Sequence, residues 1–420
     1  MRKPSLDVVV FGASSFVGQI LCRYLLQEFG SKGQAGARKL SWAIAGRSRT
    51  KLEALVSSLG PVAKHLPVIV ADANDEKALE ALCTDTRVVI STVGPYALYG
   101  EPLVRVCARL GTDYCDLSGE APWMRRMIMQ YSGAAERSGA RIVHCCGFDS
   151  IPSDMGVWFL QQQSLLHFGE PCVQIKMRVK AMRGTASGGT VASIVNVVRE
   201  AAHNADLRRE LTNPYSLCPP GASTKTRQTN VTGPTFDRAF GAWSAPFVMA
   251  AINVRVVLRS NALRCNISGN NQGVGDFRYD EAMLTGKGLS GRAKAMGITA
   301  GIGGFIAAAA LPPTRWLMEK FILPAPGEGP SDDKQEKGFF DLRFIGRTID
   351  GRELRVKVTG DRDPGYGSTA KMLGEAAACL AQDVSNVTVG GGFWTPSTAL
   401  GEALYKRLKS HAGLRFDLLE

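Results

Sequence analysis

The stretch Leu6-Asp7-Val8-Val9-Val10-Phe11-Gly12-Ala13-Ser14-Ser15-Phe16-Val17-Gly18 decides the fold. Val8–Phe11 is an unbroken apolar run, the pattern of a strand buried on both faces of a sheet. Gly12 allows a tight turn after it, Gly18 lets a helix pack closely on the strand, and a helical pattern follows through Phe29. Backbone N–H groups at such a helix N-terminus make a ready site for a pyrophosphate. Gly12, Ala13, Ser14, Ser15, Phe16, Val17 and Gly18 are therefore candidate cofactor contacts. The spacing is G-x-x-S-x-x-G, with Ser15 where a middle glycine is usual. Turns of this kind also occur without a ligand, but placement on the first strand favours a dinucleotide.

Outward from this turn, strand and helix signals alternate. Leu40–Ala45, Leu66–Ala71, Arg87–Val93, Asp113–Leu117 and Arg141–Cys146 read as strands. Thr50–Leu59, Asp75–Leu82, Gly100–Leu110 and Trp123–Ser138 read as helices between them. Alternation of this length means βαβ units and a parallel, Rossmann-type α/β sheet. After Asp154 the texture changes. Val173–Ala181 alternates strictly, and so does Asn253–Arg259. Phe339–Ile345 and Leu354–Thr359 alternate around Asp350-Gly351, a hairpin signal. Thr190–His203 and Ser368–Ala381 are helical, and residues 205–246 read as a long loop with short elements. The expectation is a dinucleotide-binding Rossmann domain at 1–155, an α+β substrate or dimerisation domain on an antiparallel sheet at 156–390, and a C-terminal piece at 391–420. The helix of that last piece, Ser397–Lys409, is expected to return to the first domain. Polar or charged Gly-rich surface loops are expected at Gly30–Lys39 and Gly327–Gly338.

Composition narrows the class. The chain has 420 residues, 45% hydrophobic and 21% charged, so a large core is available and wholesale disorder is excluded. The net charge of +12 calls for anionic partners such as a phosphorylated cofactor, an acidic carrier or a membrane surface; nucleic acid is not expected. The ten cysteines include no C-x-x-C, and the five histidines are scattered, so no metal site is expected. Reduced thiols fit a cytoplasmic setting. From Ala295 to Thr314 no residue is charged, yet the apolarity comes mostly from Ala and Gly and the run ends in Pro312-Pro313. It reads as a buried or interfacial segment beside an acyl-binding surface, with peripheral lipid contact and no span across a bilayer.

Three further motifs carry chemistry. The second strand runs into Gly46-Arg47-Ser48-Arg49. An NAD site wants a carboxylate there; two arginines around a serine suit a 2′-phosphate instead, although a solvated basic loop would look the same. NADP(H) is the expected cofactor. Asp72-Ala73, after the third strand, would sit near the adenine, or Asp72 would cap the next helix. Thr92-Val93-Gly94-Pro95-Tyr96 lies at the carboxyl end of the fourth strand, where such sheets bind ligands. Tyr96 is a candidate donor of a proton or a hydrogen bond to substrate, or a tyrosine packed between domains. Asp149, in Gly147-Phe148-Asp149-Ser150-Ile151-Pro152, is a candidate acid or substrate anchor, or a helix cap.

GASSFVG, AGRSRTKLEAL, STVGPYALYGEPLV, GTDYCDLSGE and GFDSIPSDMG, in this order, resemble the saccharopine dehydrogenase-like oxidoreductases, and more closely their trans-acting enoyl reductase branch. Similarity returns at PAPGEGPS, GDRDPGYGSTAKML and GGGFWTPSTALGEAL. The resemblance implies an NADP-binding Rossmann domain, a second α+β domain and a reductase, in one branch acting on enoyl thioesters during polyketide lipid synthesis. The expected substrate is thus a small-molecule or carrier-bound acyl group, and a homodimer is compatible. A C=N or C=O reductase is the alternative enzyme; a non-catalytic NADP(H)-binding lipid-surface protein is the alternative outside enzymes. Between Lys176 and Arg238 there are 10 basic and 4 acidic residues, as an amino-diacid site would want. The apolar run that follows fits an acyl chain better.

Overall fold

The computed structural model describes residues 4–30, 38–184, 188–222, 226–267, 274–321 and 329–420. Parts of the loops expected at 30–39 and 327–338 lie outside the described residues. The chain forms two compact units, one of Met1–Phe148, Pro326–Gly329 and Gly365–Ala412, the other of Asp149–Ala325, Pro330–Pro364 and Gly413–Glu420.

The first unit is built on a seven-stranded sheet of β1 (Leu6–Phe11), β2 (Trp42–Gly46), β3 (Val68–Val70), β4 (Thr86–Ser91), β5 (Asp113–Asp116), β6 (Arg141–Val143) and, from much later in the chain, β13 (Gly392–Trp394). The order is β3-β2-β1-β4-β5-β6-β13, and every pairing is parallel. This is the doubly wound order, whose reversal between β1 and β4 opens a ligand crevice at the strands' carboxyl ends. The interior of the sheet is apolar because helices cover it: Val8, Val9, Val10, Ala43, Ile44, Val88, Val89 and Ile90 are all fully buried.

One covering helix, Thr369–Gln382, comes from the C-terminal part and packs on β1, β4, β5 and the helix Phe16–Phe29. Its AAAC run leaves room for this close approach. It is fastened by charge. Glu375 is fully buried and accepts from Tyr24 Oη (2.7 Å) and Arg407 (3.0 Å), with Arg38 also paired to it. Arg141, also fully buried, pairs with Asp113 and donates to the carbonyls of Val384 (2.7 Å) and Leu380 (3.0 Å) at the helix end. The return to the first unit thus begins at Gly365, well before the expected helix at 397–409. The helix 369–382 is buried along almost its whole length, its small residues Ala376, Ala377, Ala378 and Cys379 allowing close packing.

The second unit carries another seven-stranded sheet, ordered β14-β12-β11-β7-β10-β9-β8. Its strands are β7 (Gln174–Arg183), β8 (Thr235–Asp237), β9 (Ala242–Ala245), β10 (Arg278–Gly286), β11 (Phe339–Arg347), β12 (Glu353–Gly360) and β14 (Leu414–Leu419). The hairpin β11–β12 turns at Asp350-Gly351, where Gly351 has φ +89°. The sheet is mixed and not wholly antiparallel as expected, because β7 and β10 pair in parallel across a long connection. Asn253–Arg259, expected as a strand, lies inside the helix Ala250–Ile267. Its alternating valines and arginines are all buried: Arg255 donates to Ser216 Oγ (3.1 Å) and to the Leu211 carbonyl (2.6 Å), and Arg259 donates to the Leu217 carbonyl. A helix buried on every side, with its cations satisfied by carbonyls, carries no 3.6-residue pattern to read.

Candidate cofactor and active site

The end of β1 shows why the first motif has its sequence. Gly12 has φ +87°, a left-handed conformation that favours glycine, and its N–H donates to the Ala45 carbonyl at 2.9 Å. Gly18 sits against the turn so closely that a Cβ there would lie 2.5 Å from the Gly12 carbonyl and 2.7 Å from that of Ala13. Ser15, the departure from the usual glycine, is the N-cap of Phe16–Phe29: its hydroxyl accepts from Gly18 N at 3.0 Å. The same hydroxyl donates to Thr92 Oγ1 at 3.0 Å, and Thr92 Oγ1 donates to the Gly12 carbonyl at 2.9 Å. Thr92 N in turn donates to the Phe11 carbonyl at 2.9 Å. Ser15 therefore ties the loop after β1 to the loop after β4. Phe16 packs edge-on against Tyr366, with ring centroids 4.9 Å apart.

At the end of β2 the side chains divide the work differently from the sequence expectation. Arg47 is exposed. Ser48 caps the helix Arg49–Ser58 by accepting from Lys51 N at 3.3 Å. Arg49 is exposed and lies 3.7 Å from Glu53. A cleft of about 360 Å3 is lined by Ser14, Gln19, Lys51, Ala54, Leu55 and Ser58. Lys51, which the sequence reading did not single out, is thus the cation that faces the cleft beside the glycine loop. Gln19 holds one wall by donating to the Ser14 carbonyl at 3.1 Å. After β3, Asp72 accepts from Asn74 N at 2.9 Å, and it is Asp75 that caps the next helix.

The segment after β4 is held by a residue the sequence reading passed over. The Glu120 carboxylate accepts from Tyr96 N (2.8 Å) and Ala97 N (2.9 Å). Tyr96 is 4% exposed, and its hydroxyl donates to the Ser91 carbonyl at 2.9 Å. Its ring lies 5.3 Å from that of Trp123. Of the two readings of Tyr96, a proton donor or a packed tyrosine, the side chain is packed within the first unit, with its hydroxyl on the Ser91 carbonyl.

Beyond it, at the carboxyl ends of β5 and β6, Asp116 and His144 form a buried pair, Oδ2 to Nδ1 at 2.7 Å. Asp116 also accepts from Tyr114 Oη (3.0 Å) and from the N–H groups of Ser118 (3.0 Å) and Cys145 (3.2 Å). His144 Nε2 and the nearby Trp123 Nε1 have no hydrogen-bond partner among the described residues. The signal for this cluster was the pair of strand ends YCD and IVH, but neither residue is informative until the strands lie side by side.

In the second unit, Asp149 shows part of its surface to solvent, yet burial of its carboxyl pushes the pKa up to about 7. Next to it in sequence, Ser150 begins a buried chain: its hydroxyl donates to Asn253 Oδ1 (3.1 Å), and Asn253 Nδ2 donates to Glu281 (3.0 Å). Tyr279 donates to the same carboxyl (2.7 Å). Burial pushes Glu281 up to about 7 as well. Among the described residues, no cluster of His, Cys, Asp and Glu is placed to hold a metal ion. The ten cysteines are free thiols.

A profile of the saccharopine dehydrogenase NADP binding domain matches residues 8–143. A trans-acting enoyl reductase of Mycobacterium tuberculosis (strain ATCC 25618 / H37Rv) is 37% identical over 415 residues, 96% of this chain and 95% of that protein. The chain belongs to the saccharopine dehydrogenase-like family, on its trans-acting enoyl reductase branch. The trans-acting enoyl reductase of Mycobacterium ulcerans is 34% identical over 418 residues, 96% of this chain and 95% of that protein. Among solved structures, apo saccharopine dehydrogenase (L-Glu forming) from Saccharomyces cerevisiae covers 99% of this chain and 100% of its own at TM-score 0.51 and 15% identity, a likeness of fold. This family member is an NADP-dependent oxidoreductase. The residues present are of the kind that could hold the cofactor: the first turn of the helix Phe16–Phe29 offers N–H groups suited to a pyrophosphate, and Lys51 with the exposed Arg47 and Arg49 offers cations suited to a 2′-phosphate.

Proposed function

We propose that the chain reduces a carbon–carbon double bond conjugated to a carbonyl or thioester in a lipid or polyketide-type acyl group. The supporting observation is likeness along nearly the whole chain to proteins named trans-acting enoyl reductase. NADPH, when bound, supplies the hydride. What remains for the chain is to hold the cofactor, to balance the charge that grows on the carbonyl oxygen, and to give a proton to the α-carbon.

Holding the cofactor falls to Gly12–Gly18, the Ser15–Thr92 tie, Thr92–Pro95, and the basic group Arg47, Arg49 and Lys51. Asp72 and Ala73 are assigned to the adenine edge. Tyr96, whose proton is committed to the Ser91 carbonyl, shapes the loop after β4. Asp149 is assigned as the acid, because a carboxyl lifted to about 7 is still half protonated at neutral pH, as a general acid should be. The free thiols fit a reducing, cytoplasmic setting.

The test is to follow oxidation of NADPH with three acceptors: an α,β-unsaturated acyl thioester, a ketone and an imine-forming keto acid with ammonia. Turnover confined to the unsaturated thioester is the expected result. Turnover confined to the keto acid or ketone would move the chain to the C=N or C=O reductases. NADPH binding with no turnover on any acceptor would favour the non-catalytic reading.

A further inference from the structure

The helix Gly288–Ala310 in the second unit is out of place on a surface facing water. It has 23 residues and is the one helix among those described that is long and apolar enough to cross a membrane, yet only 11% of its most apolar stretch is buried. Leu289 is 83% exposed, Met296 54% and Ile306 47%. The helix Pro312–Phe321 folds back against it and adds Trp316 at 55% and Leu317 at 46%. A solvated helix normally turns charged residues outward. This one has none from Ala295 to its end.

Among the described residues, the topology argues against a span. The two helices are inserted between β10 and β11, and both strands pair with β7, one on each side of it. Both flanks of the insertion therefore belong to one sheet on one side of any bilayer. A first crossing would need a second, and Pro312–Phe321 has only 10 residues, about 15 Å of helix against about 30 Å of hydrocarbon. Between it and β11 the remaining described helix is Asp332–Glu336, and lipid-exposed irregular backbone is not tolerated in hydrocarbon.

Charge selects the occupant. Between Lys287 and Lys320 there are five basic residues, Lys287, Arg292, Lys294, Arg315 and Lys320, and one acidic residue, Glu319. They bracket the apolar stretch at both ends. A second copy docking on this face by a two-fold axis would bring basic ends against basic ends, whichever way the helices ran. At the foot of the long helix a cleft of about 630 Å3 is lined by Lys180, Lys287 and Lys294 together with Leu284 and Ile298. Ammonium groups beside apolar side chains match a phosphate headgroup above its acyl chains.

We propose that the two helices lie in the plane of an anionic phospholipid bilayer, apolar face in the acyl boundary, with Lys180, Lys287 and Lys294 on headgroup phosphates. The inference does not rest on which bond the chain reduces, and its test reads binding alone. Full-length protein is floated with vesicles of phosphatidylglycerol and phosphatidylcholine, or of phosphatidylcholine alone. Co-flotation with the anionic vesicles, weakened by salt and reversed by alkaline carbonate, is expected. Leu289→Glu with Met296→Glu, and separately Lys287→Glu with Lys294→Glu, should each weaken partition at least tenfold, with thermal unfolding and NADPH binding as controls for folding. Failure of the wild type to float, or equal flotation of wild type and variants, overturns the proposal. So does resistance to carbonate, which means a span. So does a wild-type dimer that Leu289→Glu with Met296→Glu dissociates, which means a subunit interface.

Discussion

Gly18→Ala sets two effects of opposite sign against each other. By helix propensity the change should stabilise the protein by about 1 kcal/mol, since Gly18 lies in the first turn of Phe16–Phe29. Packing predicts the reverse. The new methyl carbon would stand 2.5 Å from the Gly12 carbonyl oxygen and 2.7 Å from that of Ala13, where ordinary contact begins at 3.4 Å. Both obstacles are backbone, so no side chain can swing away. The helix start must retreat by about 0.9 Å from the turn it caps. Overpacking of this kind costs about 1–3 kcal/mol, enough to outweigh propensity. The same retreat moves the N–H groups that would hold the pyrophosphate, so NADPH affinity should fall at least tenfold, about 1.4 kcal/mol. Gly46→Ala is the control, because its methyl would meet Leu52 at 3.6 Å, ordinary contact. Its stability should stay within about 0.5 kcal/mol of wild type. Thermal unfolding and fluorescence titration with NADPH read both. A stabilised Gly18→Ala variant with unaltered NADPH affinity would refute the close-approach argument, as would a Gly46→Ala variant that is the worse of the two.

NADPH should bind at least tenfold tighter than NADH, about 1.4 kcal/mol, and Lys51→Glu should erase much of that gap while sparing NADH; equal affinities in the wild type would sink the 2′-phosphate assignment. Asp149→Asn should lower turnover by about 10²–10⁴-fold, and wild-type activity should decline as pH rises through about 7, where the acid loses its proton; an unchanged pH profile in the variant would remove Asp149 from the chemistry. Tyr96→Phe should cost about 1–3 kcal/mol of stability, because the Ser91 carbonyl loses its donor, with turnover reduced far less than for Asp149→Asn; a loss of about 10²–10⁴-fold in a well-folded variant would return the proton to Tyr96. Glu281 holds its proton in the fold at pH values where the unfolded chain has released it, so stability should fall as pH rises from 4.5 to about 7, and Glu281→Gln should flatten that fall; an identical pH–stability curve for the variant would count against the buried carboxyl.

What could be read from the sequence, and what could not, follows from the range of the interactions involved. The apolar run Val8–Phe11, the two glycines after it and the Asp350-Gly351 hairpin are local signals, each fixed by residues within one turn of one another, and the structure carries them as expected. The basic residues after β2 were legible as a charge pattern, but which cation faces the cleft depends on helix phase. Ser48 spends its hydroxyl on the cap and Arg49 lies by Glu53, which leaves Lys51 on the cleft side. The parallel pairing of β7 with β10 joins residues about a hundred positions apart, beyond any periodicity. Glu120 capping Tyr96, and Asp116 paired with His144, are of the same kind: single polar residues whose role exists only once two strand ends are neighbours. The helix Gly288–Ala310 reverses the pattern. Its composition was plain in the sequence, and a buried or interfacial setting was the natural expectation from it. Only the fold shows that it is mostly uncovered and that both its ends belong to one sheet. The proposed contact with lipid accounts for an apolar helix that its own protein leaves mostly uncovered. The lysines at its foot give that surface its sign.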